Sequence, residues 1–505
     1  MNTKVYSATP LGLDAHLVRV EININLEKDG FLIVGLADRT IGESKRRIQT
    51  AIKSAGIIMP HASYITINLA PATLRKEGSL FDLPIAIGVL QSLGKINMSQ
   101  DFIDETIFIG ELSLDGTVNA IRGALPISND MHKLGKKRLI LPMDNAKEAA
   151  LTRDIEIIGI KDLQEVISYI NGHITIQSTH VNIDNYATKT TTLDFGDVKG
   201  QKYPKRALQV AAAGNHNMLF SGPPGSGKTM LAKRLPSIMP PLSMSEIIET
   251  TKIYSVAGKL QEESLIIDRP FRAPHHSASR ATIIGGGHNH AIPGEVSLAH
   301  NGVLFLDEFV EFRRDALEAL RQPLEDRMIE VNRILFSVQY PAAFLLIAAY
   351  NPCPCGYFGD KTKICSCTTT QIQSYKNKLS GPLIDRIDIK VTVHAVTYEE
   401  SQTKNSIESV TSDSLKNGVM RAIDMQRLRF GKYGVYNSTM TSNEVDMYCK
   451  LTDKAQDIVR IAFERLNMSM RSYHKCLKVA RTIADIEGSE IIDVKHIQEA
   501  IIFRS

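Results

Sequence analysis

Three short apolar runs stand out in the middle of the chain: Met218-Leu-Phe220, Val303-Leu-Phe-Leu306 and Ala343-Phe-Leu-Leu-Ile-Ala-Ala349. Each is unbroken by polar residues, the pattern of strands buried on both faces of a parallel sheet flanked by helices. Upstream, Leu32-Ile-Val34, Tyr64-Ile-Thr-Ile-Asn68 and Ile107-Phe-Ile109 predict further strands. They alternate with helical patterns over Thr40 to Ala55 and Pro84 to Leu93, so residues 1 to about 170 also predict an α/β domain. The polar, Thr- and Asn-rich stretch Gln177 to Thr192 has no periodicity and reads as a linker. A helix is predicted over Tyr203 to Ala213, and residues 327–338 alternate as a hairpin turning at Asn332-Arg333. From about residue 396 the pattern is helical, over Gly418 to Phe430, Lys454 to Leu466 and Tyr473 to Glu487. Arg421, Arg427 and Arg429 on the first of these read as a solvated face. The expected partition is residues 1–172, a linker over 173–192, a core over 193–395 and a helical domain over 396–505.

The chemistry lies where these strands end. The first runs into Gly222-Pro-Pro-Gly-Ser-Gly-Lys-Thr229, a complete G-x-x-x-x-G-K-[ST] loop followed by a helix. Gly222, Pro223, Pro224, Gly225, Ser226 and Gly227 form the turn whose backbone N–H groups cradle phosphates. Lys228 reaches the β- and γ-phosphates of ATP, and the Thr229 hydroxyl ligates Mg²⁺. The second strand ends in Asp307-Glu308, where Asp307 completes the Mg²⁺ shell and Glu308 polarises the attacking water. The third ends at Asn351, placed to bond the γ-phosphate or the water. Arg386, within Leu379-Ser-Gly-Pro-Leu-Ile-Asp-Arg-Ile-Asp388, is a candidate arginine finger. Arg272-Ala-Pro-His-His276 and Gly285-Gly-Gly287 read as loops facing a pore or the nucleotide, because their Pro and Gly content and His spacing do not suit a metal site. Cys353, Cys355, Cys365 and Cys367 form two C-x-C pairs. They are either the four ligands of a Zn²⁺ ion or reduced thiols near Asn351, since C-x-C is tighter than the usual zinc spacing. Cys449 and Cys476 read as apolar packing.

The whole chain resembles the ComM/YifB family of AAA+ ATPases, often labelled magnesium-chelatase-like. The blocks that carry the resemblance run from Lys4-Val-Tyr-Ser7 through Gly30-Phe-Leu-Ile-Val-Gly-Leu36, Arg75-Lys-Glu-Gly78, Phe81-Asp-Leu-Pro84 and Pro270-Phe-Arg-Ala-Pro-His-His276. They continue to Asn351-Pro-Cys-Pro-Cys-Gly356 and Val479-Ala-Arg-Thr-Ile-Ala-Asp485. The resemblance implies an AAA+ core with a helical lid, preceded by a Lon-protease-like domain of the ribosomal S5 type. It also implies a homo-hexameric motor that remodels single-stranded or branched DNA by branch migration during natural transformation or recombination. In the Lon-like domain Phe81 falls at the nucleophile's place, and Arg122-Gly-Ala-Leu-Pro126 lacks the partner lysine, so no peptidase activity is expected. By the same resemblance Asp194 to Gly200 lies against the adenine, and a hairpin before Asn351 points into the pore. Arg333 at its tip is either a phosphate contact or a solvated charge. Arg471 is expected as the lid arginine on the γ-phosphate, with Arg481 as the second choice. Two other readings remain: an ATP-dependent protease, and a chelatase-type motor subunit.

Composition narrows this little. The chain has 505 residues, 43% hydrophobic and 23% charged, which suits several folded domains and argues against disorder. A net charge of +4 permits a local basic surface without requiring one. No apolar run reaches membrane-spanning length and no secretory h-region stands at the start, so a cytoplasmic protein is expected.

Overall fold

The computed structural model describes all residues except 1, 26–29, 36–38, 61–62, 75, 77, 183–192, 261–264, 287–290, 333–336, 361–362, 380, 397–409 and 505. The chain forms two compact units, residues 1–187 with 244–267, and residues 188–243 with 268–505.

The first unit opens with a long hairpin, Asn2–Leu11 against Asp14–Asn25. Tyr64–Ala70 joins it antiparallel, and Gly30–Val34 pairs parallel at the edge. Along Asp14–Asn25 the residues Val18, Val20, Ile22 and Ile24 are buried while His16 and Arg19 are exposed. One face therefore packs inward, against the helix Asp82–Ser92. That helix is apolar nearly all round and buried along almost its whole length, as a central helix must be. A second, parallel sheet contains Thr106–Phe108, Arg138–Pro142 and Glu156–Ile160. Phe81, just before the central helix, is fully buried; covering such a ring is worth about 2 kcal/mol.

Part of the stretch read as a linker is held on this unit. Thr179 donates its backbone N–H to Ile157 O (2.8 Å), and Ile157 N–H donates to Ser178 Oγ (3.0 Å). Glu156–Ile160 is an edge strand, and its free backbone groups take the polar segment as a partner. The remainder, 183–192, lies outside the described residues. A continuous 193–395 core also differs from what is seen. Helix Met244–Ala257 belongs to the first unit, where it packs on helix Ala124–Asp130, and Gly123 N–H donates to Ser255 O (3.2 Å). Leu265 completes a small apolar cluster there with Leu125 and Leu151.

The second unit holds a five-stranded parallel sheet in the order Phe271–Arg272, Val303–Leu306, Leu345–Tyr350, Met218–Ser221, Ile389–Thr392. The strand order reverses beside Met218–Ser221. A crevice for ligand therefore opens beyond its C-terminal end. Helices Ser412–Phe430, Asp453–Arg465, Met470–Glu487 and Val494–Ile502 share one core with helix Lys202–Gly214 and the sheet. The helix over 412–430 corrects one expectation. Arg429 is not on a solvated face: its guanidinium donates to both oxygens of the buried Asp485 at 2.6 and 2.8 Å. A buried carboxylate on the facing helix holds that charge where periodicity alone suggested solvent. The hairpin pairs Met328–Asn332 with Ser337–Pro341; Arg333 lies outside the described residues. No helix among the described residues is long and apolar enough to cross a membrane.

Candidate nucleotide-binding and hydrolysis site

The loop after Met218–Ser221 is shaped by glycine. Gly225 and Gly227 adopt φ of 76° and 92°, and a Cβ on Gly222 would lie 2.2 Å from Val393 O. Ser226 Oγ is buried and has no hydrogen-bond partner among the described residues. A phosphate would give such an orphaned hydroxyl a partner. Lys228 folds back over the loop, donating to Gly222 O (2.7 Å), Pro223 O (2.9 Å) and Asn351 Oδ1 (3.2 Å). Burial lowers the pKa of this ammonium, and Asp307 acts in the opposite sense. A buried cation resting on carbonyl oxygens is well placed to exchange them for phosphate oxygens.

Thr229 Oγ donates to Asp307 Oδ2 at 2.6 Å, so two oxygen ligands meet at one point, one from the helix Lys228–Arg234 and one from just beyond the strand Val303–Leu306. Such hard oxygens suit Mg²⁺: Thr229 and Asp307 would hold the ion, which would supply positive charge against the charge developing on the phosphates. Glu308 follows at φ 51°, a left-handed backbone rarely taken by a non-glycine residue, and its carboxylate lies 2.8 Å from His276 Nδ1. Lys228, Thr229, Asp307 and Asn351 are thus linked directly, and Glu308 adjoins Asp307. Sequence reasoning put His276 on a loop facing a pore or the nucleotide, but not against Glu308. The strand that precedes its turn, Phe271–Arg272, pairs with Val303–Leu306, the strand that runs into Glu308, and this pairing brings the ring near the acid.

The turn Asp194 to Gly200 is pinned to the helix after the loop, with Arg234 donating to Asp194 O (2.7 Å) and Asp197 Oδ2 (3.1 Å). Gln201 Nε2 donates to Ser226 O (3.3 Å) and His394 O (2.6 Å). A cleft lined by Gln201, Tyr203, Lys390, Thr392 and His394 opens beside it.

Arg386 and Arg471 lie elsewhere. Ile389 pairs with Met218, so Arg386 sits where these strands begin, about 13 Å from the phosphate loop by the length of a four-residue strand. There Arg386 Nη2 meets Glu325 Oε1 at 2.5 Å and Arg471 Nη2 meets the same oxygen at 3.1 Å. The hydrogen bond from Arg386, foremost among its contacts, holds the Glu325 carboxyl below the usual range. The neighbouring Asp388 is likewise held low. Burial opposes its charge, but Lys475 at 2.8 Å and His216 outweigh that. Arg481 is fully buried, bonded to Asp485 and to the carbonyls of Ser489 and Glu490, so it cannot serve as a phosphate contact.

The four thiols do converge: the sulfurs of Cys353, Cys355, Cys365 and Cys367 all lie within 4.8 Å of one another. Cys449 and Cys476 are buried in the core of the second unit.

Known proteins resemble this chain throughout. Residues 194–401 match the family described as magnesium chelatase, subunit ChlI, residues 20–145 match subunit ChlI of Mg-chelatase, and residues 409–504 match its C-terminal part. The competence protein ComM of Haemophilus influenzae is 40% identical over 99% of this chain and 97% of its own length. YifB of Escherichia coli is 38% identical over 99% of this chain and 96% of its own. The chain belongs to the ComM/YifB family. Its fold is accordingly the magnesium-chelatase-like AAA+ core with a helical lid, preceded by a Lon-like α/β domain. Lon protease 2 of Bacillus subtilis is 28% identical over 30% of the chain.

Proposed function

We propose that the chain is an ATP-hydrolysing motor that assembles as a ring, with a hexamer expected, and remodels DNA, with branched intermediates of recombination or of natural transformation as its substrates. The observation that carries the ATPase reading is the joining of Thr229 to Asp307 and of Lys228 to Asn351, next to Glu308. Gly222 to Gly227 would hold the phosphates, Lys228 their β- and γ-oxygens, Thr229 and Asp307 the Mg²⁺ ion. Glu308 would take a proton from water once released from His276, and Asn351 would orient that water. Arg386, before the start of the strand Ile389–Thr392, and Arg471, which shares Glu325 with it, would serve the nucleotide of a neighbouring copy.

The DNA reading rests on similarity to a competence protein and on the hairpin that precedes the Asn351 strand. The protease reading is disfavoured by Phe81, a buried ring at the nucleophile's position. We read the cysteine cluster as a Zn²⁺ site. Tetrahedral thiolate ligation places sulfurs about 3.8 Å apart, and those of Cys353, Cys355 and Cys365 stand 3.3 to 3.7 Å apart.

ATPase rates measured with single-stranded, duplex and branched DNA and with an unfolded protein test the substrate. DNA, branched DNA above all, is expected to stimulate hydrolysis, and the affinity should fall steeply with salt and show little sequence preference. Arg333→Ala should weaken the stimulated rate and strand movement while basal hydrolysis stays near the parental value. Stimulation by unfolded protein alone, or ATP-dependent cleavage of that protein, would overturn the DNA assignment.

A further inference from the structure

We infer that the four-cysteine site braces the phosphate loop, so that the metal it holds sets the affinity for nucleotide. This rests on reading the cluster as a metal site, and goes beyond that reading by giving the metal a consequence at the ATPase centre.

The connecting element is the six-residue strap Asn351-Pro-Cys-Pro-Cys-Gly356, which touches the phosphate loop at both ends. At its start, Asn351 Oδ1 accepts from Lys228 Nζ at 3.2 Å. Just before it, Tyr350 O accepts from Gly222 N–H at 3.3 Å. At its end, Gly356 lies against Pro224 so closely that a Cβ there would stand 2.6 Å from Pro224 Cδ. Gly356 has φ of 86°, a conformation that only glycine takes without strain. Between these two contacts stand Cys353, fully buried, and Cys355.

The remaining ligands come from beyond a loop, at Cys365 and Cys367, and no disulfide joins any of the four. Backbone N–H groups already point at sulfur: Phe358 N–H donates to Cys353 Sγ (3.3 Å), and Cys355 N–H donates to Cys367 Sγ (3.4 Å). These are the contacts that orient metal-bound thiolates. Pro352 and Pro354 restrict the strap's φ angles, so its remaining freedom lies largely at the two cysteines. A tetrahedral ion pulls Cys353 and Cys355 toward Cys365 and Cys367. That holds Gly356 on Pro224 and Asn351 on Lys228. Without the ion the sulfurs are free to separate, and the phosphate loop loses its support on one side.

The experiment uses the full-length chain, purified without chelator or metal-binding tag. Zinc is measured by elemental analysis, and the Kd of a fluorescent ATP analogue by titration. Both are repeated after stripping the metal with a mercurial thiol reagent that is then removed under reducing conditions, after adding Zn²⁺ back, and on two variants. The expected results are about one zinc per chain and a Kd about tenfold weaker on stripping, restored by zinc. Cys365→Ser with Cys367→Ser should lose the metal and weaken binding similarly, although neither residue lies in the strap. Gly356→Ala should keep its zinc and still bind nucleotide more weakly, since the added methyl pushes on Pro224. Zinc retained in Gly356→Ala together with parental affinity would overturn the brace, as would equal affinity of the loaded and stripped protein; both leave the metal reading intact. Less than about a tenth of an equivalent of zinc, before and after adding it, would instead remove the metal site itself and the brace with it.

Discussion

Glu308→Gln is expected to lower the turnover of ATP by about 10²–10⁴-fold while leaving nucleotide binding close to parental. The amide keeps the shape of the side chain but cannot accept a proton from water, and Thr229, Asp307 and Lys228 are untouched by the change. Lys228→Ala should do the reverse at the first step. Its ammonium is buried above the loop on Gly222 O, Pro223 O and Asn351 Oδ1, and its loss removes a cation bonded to that loop. A charge-assisted hydrogen bond is worth about 2 kcal/mol, which corresponds to a Kd weakened by about thirtyfold. Binding of a fluorescent ATP analogue and the release of phosphate, measured on the same preparations, separate the two effects. Hydrolysis by Glu308→Gln at the parental rate would show that another group activates the water.

Mixing Arg386→Ala with Lys228→Ala should restore activity above that of either alone. Arg386→Ala retains an intact phosphate loop, and Lys228→Ala retains an intact Arg386. If Arg386 serves the nucleotide of the next subunit, an interface that pairs the loop of the first with the arginine of the second is complete. Random assembly at equal amounts makes about a quarter of the interfaces complete in a head-to-tail ring. Recovered ATPase should approach that fraction, against a loss of about 10³-fold or more in Arg386→Ala alone, the usual value of such an arginine. The geometry behind this is the position of Arg386 in the turn before the strand Ile389–Thr392, paired with Glu325 beside Arg471 and away from the loop that follows Ser221. Sedimentation should show ATP-stabilised rings. A strictly monomeric protein with full ATPase activity would sink the proposal.

Much of the site can be read along the chain because its parts are local. A strand, a glycine-rich loop and a helix in succession create the phosphate cradle from neighbouring residues, and Gly225 and Gly227 take the conformations that such a loop demands. The same holds for Asp307 and Glu308 at the end of a buried strand, and for the helices over 453–465 and 470–487, whose apolar spacing is their own. The opening hairpin was less legible. Burial on Asn2–Leu11 alternates only weakly, and its partner strand becomes evident only once the two pair.

The sequence by itself located the contiguous motifs: a glycine-rich loop ending in Lys228-Thr229, two acids at the end of a buried strand, an Asn at the next strand end, and two C-x-C pairs. The tertiary structure decided which distant residues face one another. It brings His276 to Glu308, gathers Arg386 and Arg471 on Glu325, turns Arg429 inward to Asp485, lays Gly356 on Pro224 and assigns helix Met244–Ala257 to the first unit. The physical reason is common to all five. Hydrophobic periodicity reports which face of an element is buried, but the partner across the interface depends on strand order and on how helices pack. Those are settled only when the whole core closes.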